Sequence, residues 1–503
     1  MTRPSPTPTP LDPIEATVAE IHEAMTEGGL TAEALVETYL ARIEEYDEDL
    51  NAILTLNDDA RARARRLDGR FEDGGFVGPL HGVPVVLKDN HDTHDMPTTA
   101  GSAALSDSRP SRDAAVVERL RSAGAVVLAK ANLQELSFGV DTVSSLGGET
   151  RNAYDLRRRP SGSSGGTAAA IAANLGAVGT GSDTCSSVRS PPAFNALVGV
   201  RPTRGLVSRR GIVPLSETQD TAGPIARTVG DAARLLEVMA GYDPEDPVTA
   251  RGERRVPPEG YAAGLGEADL EGVRVGVARQ FFGARDDDRA AEAERVTAVL
   301  EDAIGTMADA GATVVDPIEV VAPDRLESAR VVAHEFARDF GRYLSELGED
   351  APHGSLAEVV ATGEIDPAVE SRIEAAGALD IDPDALEESV DYLKRLRRRE
   401  ELRDRTLSRL IDEDLDAVLY PPSTVPPVEI PEHQPFGEMN CELAAHTGLP
   451  AVVVPAGFTD GGLPVGVELL GRAFDERRLL EIAAAIEGTI EGRRPPRRFG
   501  PLE

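Results

Sequence analysis

The chain has 503 residues, with 87 aspartates and glutamates against 52 lysines and arginines, a formal charge of −35 and two cysteines. Such an acidic balance argues against a broad nucleic-acid surface, which needs cations to neutralise phosphates, and it suits high salt, where a carboxylate-rich surface stays hydrated and screening tames its self-repulsion. No signal peptide or long apolar span is apparent, and Cys185 and Cys441 give no disulfide framework, so a soluble, cytoplasmic protein without membrane or nucleic-acid partners is expected.

Taken in chain order, the first dozen residues are rich in Pro and Thr and read as a disordered tail. The stretch from Ile14 to about Leu54 is helical, and one helix displays a buried stripe at Leu35, Tyr39, Leu40 and Ile43. The apolar run Val83 to Leu87 then reads as a strand and ends in Lys88, one of only three lysines in the chain. A lysine on a buried strand can lose its proton because desolvation disfavours the ammonium form, whereas arginine would stay charged. Taken alone, Lys88 reads equally as a partner for Asp89 or as a snorkelling surface charge.

Ala125 to Ala129 is a second strand-like run. The loop Ser161, Gly162, Ser163, Ser164, Gly165, Gly166, Thr167 follows and passes into the alanine-rich helix former Ala168 to Ala173. Serines at a helix N-terminus face free N–H groups that favour an anion, although an ordinary N-cap reads the same way. The loop is not a phosphate-binding P-loop, since the Gly-Lys-[Ser/Thr] ending is missing. One helix and one strand later, Gly179 to Pro192 forms a second loop of small residues that includes Ser182 to Ser187. Such a loop can aim successive N–H groups at one point and carry a serine nucleophile, or it is a plain turn.

Further on, Val273 to Val277, Ala417 to Tyr420 and Ala451 to Val454 are strand-like and alternate with helical stretches, which argues a mixed α/β sheet covered by helices. The charged stretch from about Asp324 to Arg405, with Glu387, Lys394 and a run of arginines, reads as a solvated helical face, with one wall of a substrate cleft as the alternative. The dense cluster His91, Asp92, His94, Asp95 matches no common metal spacing, so a polar loop is expected there, with no metal and no cofactor.

Four ordered segments, GPLHGVPVVLKDN (Gly78 to Asn90), GAVVLAKANLQELSFG (Gly124 to Gly139), the block Pro160 to Ala233, and the closing Gly448 to Leu480, resemble the amidase signature family of Ser-cisSer-Lys amide hydrolases. Only about 250–420 is poorly covered. The resemblance implies one α/β domain over 13–503, a large mixed sheet sandwiched between helices in three α/β/α layers. It further implies Lys88 as base, Ser163 as a bridging serine preceded by a cis peptide bond, and Ser187 as nucleophile. The oxyanion donors it implies are the backbone N–H groups of Thr184, Cys185, Ser186 and Ser187.

Ser164, Asp183, Arg189, Gln219 and Asp220 are expected to support that site, Asp183 and Arg189 as an ion pair bracing the loop. Cys185 has no histidine near it in sequence, so the thiol is not the expected nucleophile. Cys185 and Ser186 replace two glycines common in the family, so the turn must be reachable without positive φ. That departure favours a stand-alone amidase acting on a small amide over the A-type glutaminase of a glutamyl-tRNA(Gln) amidotransferase. A non-catalytic scaffold on the same fold is the third reading. The acyl group and any homo-oligomerisation are not legible in the chain.

Overall fold

The five apolar runs read above all become strands in the computed structural model, which describes residues 12–502. Nearly all of the proposed N-terminal tail lies outside the described residues. The strands are β1 (Ile53–Leu56), β2 (Pro84–Lys88), β3 (Val126–Ala131), β4 (Val143–Ser144), β5 (Gly148–Glu149), β6 (Val178–Asp183), β7 (Val198–Arg201), β8 (Thr221–Ala226), β9 (Arg274–Val277), β10 (Thr313–Val315), β11 (Ala417–Tyr420), β12 (Ala451–Phe458) and β13 (Pro464–Leu470). Eleven of them form one sheet in the order β1-β3-β2-β6-β8-β7-β12-β13-β11-β9-β10, and β4 pairs with β5 alone. Pairing is parallel for β2 with β3 and β6 and for β9 with β10 and β11, and antiparallel elsewhere, so the sheet is mixed. Every residue of β2, β3, β6 and β8 is buried, which is why β2 and β3 read as unbroken apolar runs rather than alternating patterns.

Helices sandwich this sheet. Helix Ala32–Leu50 begins where the Thr31 hydroxyl accepts from the Ala34 N–H at 3.1 Å and ends at Asn51, whose φ of 54° is left-handed. It buries Leu35, Val36, Tyr39, Leu40 and Ile43, the stripe expected from its spacing. Helix Gly165–Ala172 is buried all round and packs on β2 and β6. Its small residues are required: a Cβ on Gly166 would lie 2.0 Å from the Asn132 carbonyl oxygen.

The charged stretch beyond Asp324 departs from the solvated-face expectation. In helix Val332–Leu347, Phe336, Phe340 and Leu344 join Leu136 and Leu215 in a second apolar cluster, separate from the main core. Buried Glu335 ties this helix to the chain beside Gln219. Its carboxylate accepts from the Thr218 N–H at 3.2 Å, the Thr218 hydroxyl at 3.0 Å and the Tyr392 hydroxyl at 2.6 Å. The segment therefore docks against the sheet's loops as a wall.

Candidate active site

Strand β2 ends by delivering Lys88, wholly buried, to a point between the two serine loops. Its Nζ lies 2.6 Å from Ser163 Oγ and 2.8 Å from Ser182 Oγ, and Asn90 Nδ2 donates to the same Ser182 hydroxyl at 2.9 Å. Burial pushes the Lys88 ammonium down to about 7, with Asp220 and Asp183 pulling weakly the other way. Such a lysine can accept a proton near neutral pH, which an exposed one cannot.

The first loop carries a cis peptide bond between Gly162 and Ser163. The backbone N–H of Ser163 donates to Ser187 Oγ at 2.9 Å, so both loops meet at this point. Gly162 allows close approach: a Cβ there would sit 2.9 Å from the Val140 carbonyl carbon. Ser161 takes a φ of 66°, a left-handed conformation that costs a non-glycine residue about 1 kcal/mol. Cys185 and Ser186 are absent from the positive-φ residues, so the oxyanion turn needs no glycine there. Ser164 lies behind the turn, its hydroxyl donating to the Ser182 carbonyl at 3.3 Å.

Strand β6 ends at Asp183, which closes the second loop on itself. Its carboxylate accepts from the Val188 N–H at 3.1 Å, from Arg189 Nε at 3.1 Å and from Arg201 Nη1 at 2.5 Å. Burial pushes this carboxyl up, but the two guanidinium groups outweigh it and hold it below its ordinary value. Arg189 also donates to Glu468, which accepts from the Tyr420 hydroxyl at 2.7 Å, and to the Cys441 carbonyl at 3.1 Å. Gln219 Nε2 donates to the Thr184 carbonyl at 2.8 Å, and the Thr184 hydroxyl donates to Asp220 at 2.6 Å. The backbone N–H groups of Thr184, Cys185, Ser186 and Ser187 donate to no protein group among the described residues. Four free donors in one tight turn can receive a developing negative charge.

One expectation from the cysteine count is overturned: Cys185 and Cys441 form a disulfide, with Cα atoms 4.9 Å apart. The two residues are 256 positions apart in the chain, and only the fold, which sets the start of helix Glu442–Thr447 beside the oxyanion turn, brings them together. No local spacing could have announced it.

The turn forms the floor of a cavity of about 490 Å³ lined mostly by apolar groups. Phe138, Val140, Leu215, Val332, Ala333, Ala376 and Phe436 line it beside Ser187, with Arg330, Arg372, Arg395 and Glu442 among its charged residues. Val332, Arg372 and Arg395 belong to the charged helical stretch, which thus supplies one wall of the cavity. The His91 cluster lies apart from this cavity and scatters. His91 meets Asn90, Asp92 meets Tyr343, and His94, Asp95 and Asp113 gather around Arg121.

Sequence reasoning missed Ser182 as a second contact of Lys88, and it missed Arg201, Glu468 and Tyr420 as braces of the turn. Ser182 lies in the second loop and was noticeable there. The other three belong to strands β7, β13 and β11, and nothing local marks them.

The amidase family model matches residues 34–480. A probable amidase of Arabidopsis thaliana is 36% identical over 96% of this chain and 91% of its own. The GatA-type component of the Pseudomonas aeruginosa glutamyl-tRNA(Gln) amidotransferase is 36% identical over 93% of this chain and 96% of its own. Among solved structures, the native peptide amidase of Stenotrophomonas maltophilia superimposes with a TM-score of 0.85 at 36% identity, covering 96% of this chain and 98% of that one.

Proposed function

Because the chain belongs to the amidase family and is an amidohydrolase, we propose that it is a stand-alone amidase. It cleaves the C–N bond of a carboxamide through an acyl-enzyme on Ser187. Neutral Lys88 takes the Ser163 proton as the Ser163 hydroxyl takes that of Ser187, and Ser187 Oγ attacks the amide carbonyl. The backbone N–H groups of Thr184 to Ser187 hold the oxyanion while the proton returns through Ser163 to the leaving nitrogen, which departs as ammonia or an amine. Water then enters, gives up a proton along the same relay and releases the carboxylate.

The observation that carries this reading is the run of short contacts from Lys88 Nζ to Ser163 and from Ser163 to Ser187, ending under four unpaired N–H groups at the floor of the cavity. The apolar lining favours an apolar acyl group, and the similarity to a peptide amidase suits an amide at the end of a peptide-like chain. No helix of the described residues is long and apolar enough to cross a membrane. The acidic surface fits a cytoplasm of high ionic strength, and a single-site amidase of this kind requires no cofactor.

The glutamyl-tRNA(Gln) amidotransferase relatives, as similar in sequence as the plant amidase, favour a second reading in which the chain is a glutaminase within a complex. Ammonia release by the purified chain in molar potassium chloride, across aliphatic, aromatic and peptide amides and glutamine with Ser187→Ala as control, separates the two. Serine-dependent release from simple amides without partners is expected. Release from glutamine alone would favour the amidotransferase, and silence throughout would favour a scaffold.

A further inference from the structure

We propose that the Cys185–Cys441 disulfide is a positioning link for the oxyanion turn, and that its reduction lowers kcat while leaving substrate binding nearly unchanged. The inference rests on the reading of Ser187 as nucleophile and of the turn as its oxyanion site.

The turn is held unevenly. At one end Thr184 is fixed twice, by Gln219 on its carbonyl and by Asp220 on its hydroxyl. At the other, Ser187 accepts from the Ser163 N–H and Val188 donates to Asp183. Between them, neither the backbone N–H nor the carbonyl of Cys185 makes a hydrogen bond among the described residues, and the buried Ser186 hydroxyl has no partner. The disulfide is thus the only tie on Cys185, at the point where the free N–H groups must keep their aim.

Its far end is well anchored. Cys441 is buried, and its carbonyl accepts from Arg189, the arginine that braces Asp183. Asn440, just before it, donates to the carbonyls of Phe281 and Pro421 at 2.8 and 2.7 Å. The near end is reachable: Cys185 is only partly buried and lines the cavity.

A small dithiol entering that cavity can attack the Cys185 sulfur, forming a mixed disulfide and expelling Cys441 as thiolate. The reagent's second thiol then attacks its own sulfur in the mixed disulfide, closing a cyclic disulfide and releasing Cys185. Two electrons and two protons pass from the dithiol to the cystine. The turn keeps its sequence and its hydrogen bonds but loses the link that fixes its middle. A donor that no longer points at the oxyanion weakens transition-state binding without touching the acyl wall, so the effect falls on kcat.

The test uses the full chain after air oxidation. Thiols are counted under denaturing conditions, and kcat and KM on an active amide are measured before dithiothreitol, after it, and after reoxidation. Affinity for a peptide aldehyde, which adds to the nucleophile and places an oxyanion in the turn, is measured in parallel. The expectation is no titratable thiol before reduction and two after it. With reduction kcat should fall about tenfold or more and aldehyde affinity should fall in step. KM should stay within about twofold, and reoxidation should restore both losses.

Cys441→Ser, which leaves every proposed oxyanion donor in place, should match the reduced enzyme and ignore dithiothreitol. Two free thiols in the oxidised chain would overturn the proposal. So would a reduced enzyme with lower melting temperature but unchanged kcat and aldehyde affinity, since that is a stability staple alone. An oxidised chain with no Ser187-dependent hydrolysis would overturn the underlying amidase reading together with this one, whereas activity that ignores reduction sinks this one only.

Discussion

The floor and the wall of the cavity are built on different physical terms. The floor comes from β2, β6 and the two serine loops, and its polar groups are buried and matched: Lys88 with Ser163 and Ser182, Asp183 with Arg189 and Arg201, Arg189 with Glu468. The wall comes from helices 332–347, 367–375 and 390–412 and carries half-exposed arginines over a small separate apolar cluster. A floor of this kind has one low-energy arrangement, because any displaced member leaves a buried charge unpaired. The wall's ion pairs are largely solvated and individually weak, so its shape can change at little cost. The contrast assigns chemistry to the rigid part and choice of acyl group to the adaptable one.

Breaking the floor should have the largest consequences. Ser187→Ala is expected to abolish turnover, by about 10⁵-fold or more, with the fold intact by circular dichroism, and Ser163→Ala to cost about 10³-fold or more by cutting the relay. Asp183→Asn should lower both activity and stability, because it removes the negative partner of two buried guanidinium groups. A loss of about 3–5 kcal/mol in denaturant unfolding is expected.

Lys88 sharpens the comparison through pH. With its folded value near 7, kcat/KM should rise with pH through a limb near 7. Its folded value lies below the unfolded one, so between about 7 and 10.5 the unfolded chain binds the extra proton and this group's contribution to stability improves as pH rises. Lys88→Met should therefore be inactive yet more stable than the parent at neutral pH. A less stable variant would mean that the lysine's contacts outweigh its desolvation. The smallest effect is expected at the wall: Phe436→Ala should raise KM for bulky apolar amides about tenfold, with kcat nearly unchanged in steady-state assays.

The same division governs how much could be read from the chain. Lys88, Ser163 and Ser187 stand in contiguous motifs, since each loop is a local turn whose small residues are required by close approach. The strands β2, β3, β9, β11 and β12 were legible as apolar runs for the same local reason. The brace formed by Arg201, Glu468 and Tyr420, and the disulfide partner Cys441, depend on contacts between strands and loops far apart in sequence. The wall was misread as solvated because its charged residues outnumber Phe336, Phe340 and Leu344, and only the docked structure reveals which side of the helix they cover.

The central claim, that Ser187 carries the acyl group, is tested most directly by trapping it. An activated apolar ester or anilide is mixed with the chain, quenched in acid within the first turnover and digested, and the modified peptide is located by mass spectrometry. The account predicts one acyl group per chain on Ser187, absent from Ser187→Ala and scarce in Lys88→Met. An acyl group on Ser163, Ser186 or a cysteine, or labelling that persists in Ser187→Ala, would contradict it.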